Sequence, residues 1–176
     1  MAITMDSLKV QLKITGSQTN DAELDAVVAK LNQVWTWTFA EGATANAIDR
    51  FWTDTRTLAA TTAENLDLAG ALSHVFGTTI AAARIKLIAV RHKTAAASAA
   101  LQVGGHATLG TLIFGATPDL DTAQPYLIVP AGGGALWIGP TAAGVVVTAG
   151  TDDMLRIYNG GAASVDYDII IGYCLT

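Results

Sequence analysis

Three histidines, one cysteine and three close pairs of aspartates are the residues of this 176-residue chain whose types could do chemistry. A metal site needs three or four ligands that meet at one point. His74, His92 and His106 stand neither at i, i+4 on a helix nor at i, i+2 on a strand, so they read as loop or edge histidines and no metal is expected. Ser73 and His74 are adjacent, and neighbouring side chains diverge. No serine has the G-x-S-x-G setting of a nucleophile elbow. Gly132, Gly133 and Gly134 miss the G-x-G-x-x-G spacing, because position 137 is Trp137, and no βαβ pattern precedes them. The aspartate pairs are Asp119 with Asp121, Asp152 with Asp153, and Asp166 with Asp168. Paired carboxylates can bind Ca²⁺ or act as glycosidase acid and base. Here the first two pairs sit in turns and read as turn caps. The third reads as a solvated strand face opposite Tyr167, Ile169 and Ile171. Cys174, the single cysteine, can form no internal disulfide; a bond to another chain is the one disulfide left open. No catalytic, cofactor-binding or metal-ligating residue is expected, and the chain reads as a non-enzyme. A jelly-roll glycosidase or a cupin-like metalloprotein is the enzymatic alternative, and it requires carboxylates or histidines to converge in a cleft.

Two further groups suggest binding. Trp35, Trp37 and Phe39 alternate with Thr36 and Thr38, which places three large aromatics on one face of a strand. They form a platform for sugars or bases, or they cover the core; the second reading is preferred because aromatics dominate core energetics. Trp52 and Trp137 are the remaining tryptophans. Arg84, Lys86, Arg91 and Lys93 form a loose basic group on a chain of net charge −5. That is too little for a phosphate-tracking stripe. The group reads as a solvated strand end, and no nucleic-acid partner is expected.

The elements that must position these residues are mostly strands. Leu8, Val10, Leu12 and Ile14 alternate with Lys9, Gln11 and Lys13, the pattern of a half-buried strand. Gly16 to Asn20 reads as a turn. Asn20 with Glu23 makes a capping box, and Leu24, Val27, Val28 and Leu31 keep helical spacing, so a helix is expected over 21–32. Strands follow at 35–39, 51–58 and 65–68, with a single helical turn in 69–76. The apolar run Ile80 to Val90 suggests a strand buried on much of both faces. Further strands are expected at 98–103, 109–114, 125–129, 134–138, 144–148, 154–159 and 164–172. Gly104-Gly105, Thr117-Pro118-Asp119, Gly139-Pro140 and Asn159-Gly160-Gly161 supply turn chemistry between them. Short strands at this spacing argue for a mainly β chain, an antiparallel sandwich or jelly roll. Residues 1–176 read as a single domain, with 1–45 an arm or a helix plus strand packed on the sandwich.

Composition narrows the function classes. Hydrophobic residues make up 51% and charged residues only 14%, against the usual ~25% charged. A chain so poor in charge is expected to place apolar surface against a partner. The uncharged stretches 94–118 and 122–151 are broken by Gly, Pro, Thr and Gln, so neither offers the ~18 apolar residues of a spanning helix. The first nine residues lack a basic segment followed by an apolar run, so no signal peptide is expected. The chain reads as made and kept in a cytoplasm, with no membrane partner.

Several stretches, in order, resemble a family of small tailed-bacteriophage virion proteins. They are Asp54-Thr55-Arg56-Thr57-Leu58, Asp67-Leu68-Ala69-Gly70, Phe76-Gly77 and Ile85-Lys86. In the second half come Leu101-Gln102-Val103-Gly104-Gly105, Pro130-Ala131-Gly132-Gly133, Thr148 to Asp152 leading into Leu155-Arg156-Ile157, and Val165 to Gly172. The resemblance spans residues 50–172, and segment 21–32 departs from the family's pattern. It implies a β-sandwich component of a virion, with capsid decoration (cement) protein the first expectation and a homotrimer the favoured oligomer. The major capsid protein or other virion proteins would then be the partners. A tail or fibre component that binds host-surface glycans is the alternative. The resemblance supplies no catalytic residue and no cofactor.

Overall fold

The computed structural model describes residues 3–21, 26–95, 100–104 and 126–176, and every regular element in them is a strand. Chain order runs β1 (Ser7–Asp21), β2 (Ala26–Ala40), β3 (Arg50–Leu58), β4 (Ala63–Asp67), β5 (Arg84–His92), β6 (Leu101–Gly104), β7 (Tyr126–Val129), β8 (Gly134–Ile138), β9 (Val145–Val146), β10 (Met154–Asn159) and β11 (Val165–Cys174). The strand expected at 109–114 lies outside the described residues. Strands β3 to β11 form two antiparallel sheets, in the orders β3-β11-β5-β8 and β4-β10-β6-β7, with β9 added to β5. Successive strands change sheet except at the β6–β7 pair and at β9 after β8. That is the double-sheet jelly roll, the mainly β architecture expected from the spacing of the turns.

Period-two patterning explains which side chains fill it. On β11, Val165, Tyr167, Ile169 and Ile171 are all buried, facing Leu155 and Ile157 of β10 across the gap. Trp52, Ile88 and Val90 complete the same layer from β3 and β5, and Leu66, Leu101, Val103 and Val129 answer from the opposite sheet. Each large aliphatic or aromatic side chain so buried contributes roughly 1.5–3 kcal/mol.

A second apolar cluster lies on the outer face of the β3-β11-β5-β8 sheet, built from Met5, Phe39, Ile48 and Leu87 with Leu8, Val10, Trp37 and Ile138 packed against it. Gly172 makes room for it: a Cβ there would meet Ile48 Cδ1 at 2.8 Å and Leu87 Cβ at 3.0 Å. The sheet is therefore covered on both faces over part of its area. This is why β5 and β11 read as near-continuous apolar runs rather than as clean alternation.

The described residues of 21–32 form no helix, contrary to expectation: β1 extends to Asp21 and β2 begins at Ala26. The Gly16–Asn20 turn is likewise strand, paired with 27–31. A twelve-residue helix is marginal in water unless its apolar face is packed. Here the chain instead extends a ladder already set by the Trp35–Phe39 strand, and every residue of 26–40 has a cross-strand partner in 7–21. The helical turn expected in 69–76 is also absent; the segment is a run of turns closed by the Ser73–Thr79 bridge.

The basic residue Lys86 departs from the solvated strand end expected of it. In the β11–β5 register Gly172 faces Leu87 and Tyr173 faces Ile85, so Lys86 is the extra residue of a β-bulge. Its side chain is fully buried. Nζ donates to three carbonyl oxygens, Ala43 at 3.0 Å, Thr44 at 2.6 Å and Ala47 at 2.9 Å. These carbonyls belong to the loop that joins the β1–β2 ribbon to the sandwich. Replacing Lys86 with Met keeps the alkyl stem and leaves the three acceptors without their donor. Urea titration of Lys86→Met is expected to show a loss of about 3 kcal/mol, with faster hydrogen exchange at the Ala40, Asn46 and Ile48 amides. Unchanged stability and exchange would mean that the ammonium does not hold this loop.

Candidate functional site

The ribbon is the feature with no counterpart inside the sandwich. Opposed residues of an antiparallel pair share a face. The register places Leu8 by Phe39, Val10 by Trp37, Leu12 by Trp35 and Gly16 by Leu31. One face is thus apolar from Leu8 and Phe39 out to Ile14 and Leu31, interrupted by Gln33, and carries Gln18 beyond them. The other carries Lys9, Lys13 and Lys30 among threonines, serines and glutamine, interrupted by Val28 and Val34. Near the root the apolar face is buried in the outer cluster. At Leu12 it reaches the rim of β8, where a groove is lined by Leu12, Leu136 and Gly132 to Gly134. From there outward it is uncovered: Trp35 is 50% exposed, Leu31 48% and Ile14 39%. Among the described residues neither ribbon strand pairs with a third strand. A two-stranded ribbon is marginal alone in water, and it gains stability by packing or by further strands.

The residues singled out for chemistry are scattered. His74 is buried. Its Nδ1 accepts the Phe76 N–H at 3.3 Å, which leaves Nε2 to donate to the Phe51 carbonyl at 3.0 Å. Its ring stacks on Phe76, so it shapes a loop. His92 is fully buried with neither ring nitrogen hydrogen-bonded. His106, Asp119 and Asp121 lie outside the described residues. Ser73 is engaged through its backbone, its carbonyl accepting the Trp52 indole N–H at 3.0 Å. Asp153 accepts the Gly150 N–H and closes its turn. Asp166 and Asp168 accept the Thr57 and Thr55 hydroxyls, each at 2.6 Å, and Lys93 stands 3.3 Å from Asp168. The Thr55 hydroxyl first, then Lys93, holds the Asp168 carboxyl below its usual range. Cys174 is buried, with Sγ toward the Gly42 and Ala47 carbonyls. Gly132 and Gly133 lie in the loop before β8, and Gly134 is the first residue of that strand. Among the described residues no three His, Cys, Asp or Glu side chains are grouped to hold a metal ion.

The four tryptophans divide. Trp52 is buried and Trp137 packs against the core between the sheets. Trp37 is half-buried at the ribbon root, and Trp35 stands out on the ribbon. Of the basic group, Arg91 and Lys93 are exposed, while Arg84 is half-buried and donates to the Thr176 carbonyl at 2.9 Å.

Two features had no signal in the sequence. One is a clasp between the sheets: Arg56 of β3 bonds Asp54 and Glu64, both at 2.8 Å, and the Tyr167 hydroxyl of β11 donates to the same Glu64 on β4. The two contacts to Glu64 join residues 8 and 103 positions apart, and no local pattern announces them. The other is a 330 Å³ hollow between Met5, Phe51, Trp52 and the exposed tip Val75-Phe76.

The fold and this surface define a class, a jelly-roll domain that carries an amphipathic β-ribbon. No protein-family model and no curated protein sequence matches the chain. A solved structure of the Bacillus endospore appendages that form a family of disulfide-linked pili overlaps 72% of this chain and 89% of its own. Its identity is 13% and its TM-score 0.32, a likeness too distant to bear on fold or function.

Burial first, and the Glu64 bond second, push the Tyr167 hydroxyl well above its ordinary value, and burial raises Tyr173 too. A raised tyrosine stabilises the fold fully below its unfolded value of about 10, and the contribution is lost as pH rises beyond it. Tyr167→Phe is expected to cost about 1–2 kcal/mol at neutral pH. It should also flatten the decline of urea midpoints above pH ~10, with Tyr173 supplying the remaining slope. Identical alkaline slopes in the two proteins would contradict the clasp. His92→Leu removes two unpaired polar atoms from the core and is expected to raise stability by about 1 kcal/mol in the same titration; a loss would mean that the ring has a partner.

Proposed function

We propose that the protein is a structural subunit of a bacteriophage particle, a capsid decoration (cement) protein that works by burying surface against other proteins. The observation that carries this reading is the ribbon, whose apolar face continues past the sheet it covers and ends in exposed Ile14, Leu31 and Trp35. The ordered resemblance of residues 50–172 to small tailed-phage virion proteins supplies the setting. Low charge supports it as well: a surface with few ionic groups to desolvate gains more of the ~25 cal/mol per Å² of apolar burial. On a symmetric shell several such contacts act together and multiply affinity. Residual exposure of Trp35 beside Trp37 favours a second reading, a tail or fibre component that stacks these rings on host glycans.

Cryo-electron microscopy of the phage that encodes the chain is expected to place it on the shell at fixed stoichiometry, and particles lacking it are expected to lose their genome at lower temperature. Density confined to the tail, with binding on a glycan array that Trp35→Ser abolishes, would replace the first reading with the second.

A further inference from the structure

We propose that the middle of the ribbon's apolar face, from Leu12 and Trp35 to Leu31, is covered by a second copy of this chain, bedding on the part of the β3-β11-β5-β8 outer face that its own ribbon leaves bare. The proposal rests on the ribbon being an assembly surface and names its partner.

Continuity comes first. The ribbon's root already packs against that sheet within one chain, through Leu8, Val10, Trp37 and Phe39 over Leu87 and Ile138. Beyond the root the same face runs through Leu12 with Trp35, Ile14 with Gln33 and Gly16 with Leu31. The sheet also continues beyond what the root covers. Its cross-strand rows run Phe51, Gly172, Leu87, Ile138 and then Thr53, Ile170, Ala89, Leu136. The root cluster takes Leu87 and Ile138 of the first row. Phe51 stays 41% exposed, Ile170 38% and Leu136 41%. Both Phe51 and Ile170 point away from the sandwich core, since their neighbours Trp52, Ile169 and Ile171 point into it. One molecule therefore carries an uncovered apolar ribbon segment and a half-exposed apolar strip, which its own chain flanks at the two ends, Leu12 beside Leu136 and Met5 beside Phe51.

Area argues for reciprocity. The exposed parts of Leu12, Ile14, Leu31 and Trp35 amount to roughly 350 Å², and those of Phe51, Ile170 and Leu136 to roughly 230 Å². One ribbon on one strip buries less than the ~1,000 Å² of a stable interface. A two-fold dimer in which each copy gives one ribbon and receives one buries about 580 Å² on each copy, roughly 1,160 Å² in all, and passes that threshold. Closed symmetry makes that saturation automatic. It also keeps the exposed ribbon from continuing into open chains.

Light scattering on the full chain, with two double variants, tests this. The ribbon variant carries Leu31→Ser and Trp35→Ser; the strip variant carries Phe51→Ser and Ile170→Lys. All four sites are outside the core between the sheets, and circular dichroism with urea midpoints checks that both variants fold. The unmodified chain is expected at a whole multiple of 18.2 kDa, and each variant at the monomer mass. A monomeric unmodified chain, or an oligomer that survives either the ribbon changes or the strip changes, would overturn the proposal. A chain that is monomeric alone yet sits on the shell at fixed stoichiometry would sink the exchange and leave the assembly reading intact. A ribbon-dependent oligomer absent from particles would do the reverse.

Discussion

A single ammonium group determines where the ribbon stands. Lys86 is buried with no carboxylate among its hydrogen-bond partners, and three carbonyls of the loop at 43–47 receive its three donors. A buried charge is tolerated only when its hydrogen-bonding capacity is filled. The loop must therefore stay folded over the sheet, and the sheet must present the lysine from a bulge. That loop is further tied by the Ala40–Ala47 bridge and by hydrogen bonds from Ala40 to Asn46 and from Asn46 to Pro140. Ile48, the next residue, then seats over Gly172. The outer cluster, and with it the direction in which β1 and β2 leave the body, follows from this arrangement.

The bulge also sorts side chains. Inserting Lys86 lets Ile85 join the core between the sheets while Leu87 joins the outer cluster. In a regular strand these two would share a face. One irregularity thus serves both apolar layers of the sheet. The same sheet then changes character along its length. Its lower rows are apolar and partly covered, whereas Thr55, Thr57, Asp166 and Asp168 tile the upper rows with hydroxyl–carboxylate pairs suited to water. A surface divided in this way suits an adhesive protein, because the polar rows need no partner and the apolar rows do.

Strand positions in the sandwich were largely legible. Phe51–Leu58, 134–138, 154–159 and 164–172 fall within a residue or two of β3, β8, β10 and β11, because half-buried strands display their alternation directly in the chain. The missed helix shows where that logic stops. Leu24, Val27, Val28 and Leu31 keep a helical spacing, and the last three stand in β2 all the same. The decision came from β1, which offered a ladder partner for each residue of 26–40. The aspartate pairs at 152–153 and 166–168 were legible as a turn cap and a wet strand face. The aromatic stripe was legible as one face, but its division into buried Phe39 and exposed Trp35 was not.

By itself the sequence determined that the chain would be β, where most strands of the sandwich would run, and that apolar surface would exceed what charge could shield. These are local or summed properties, carried by alternation, turn residues and composition. Only the tertiary structure decided that Lys86 would be buried, that Glu64 would clasp Arg56 and Tyr167, and that the ribbon's apolar face would outlast its support. Each of those depends on groups brought together from distant parts of the chain: 39 to 43 positions separate Lys86 from its carbonyls, and 103 separate Tyr167 from Glu64. Burial and hydrogen bonding act through space, and a pattern read along the chain records only what near neighbours require.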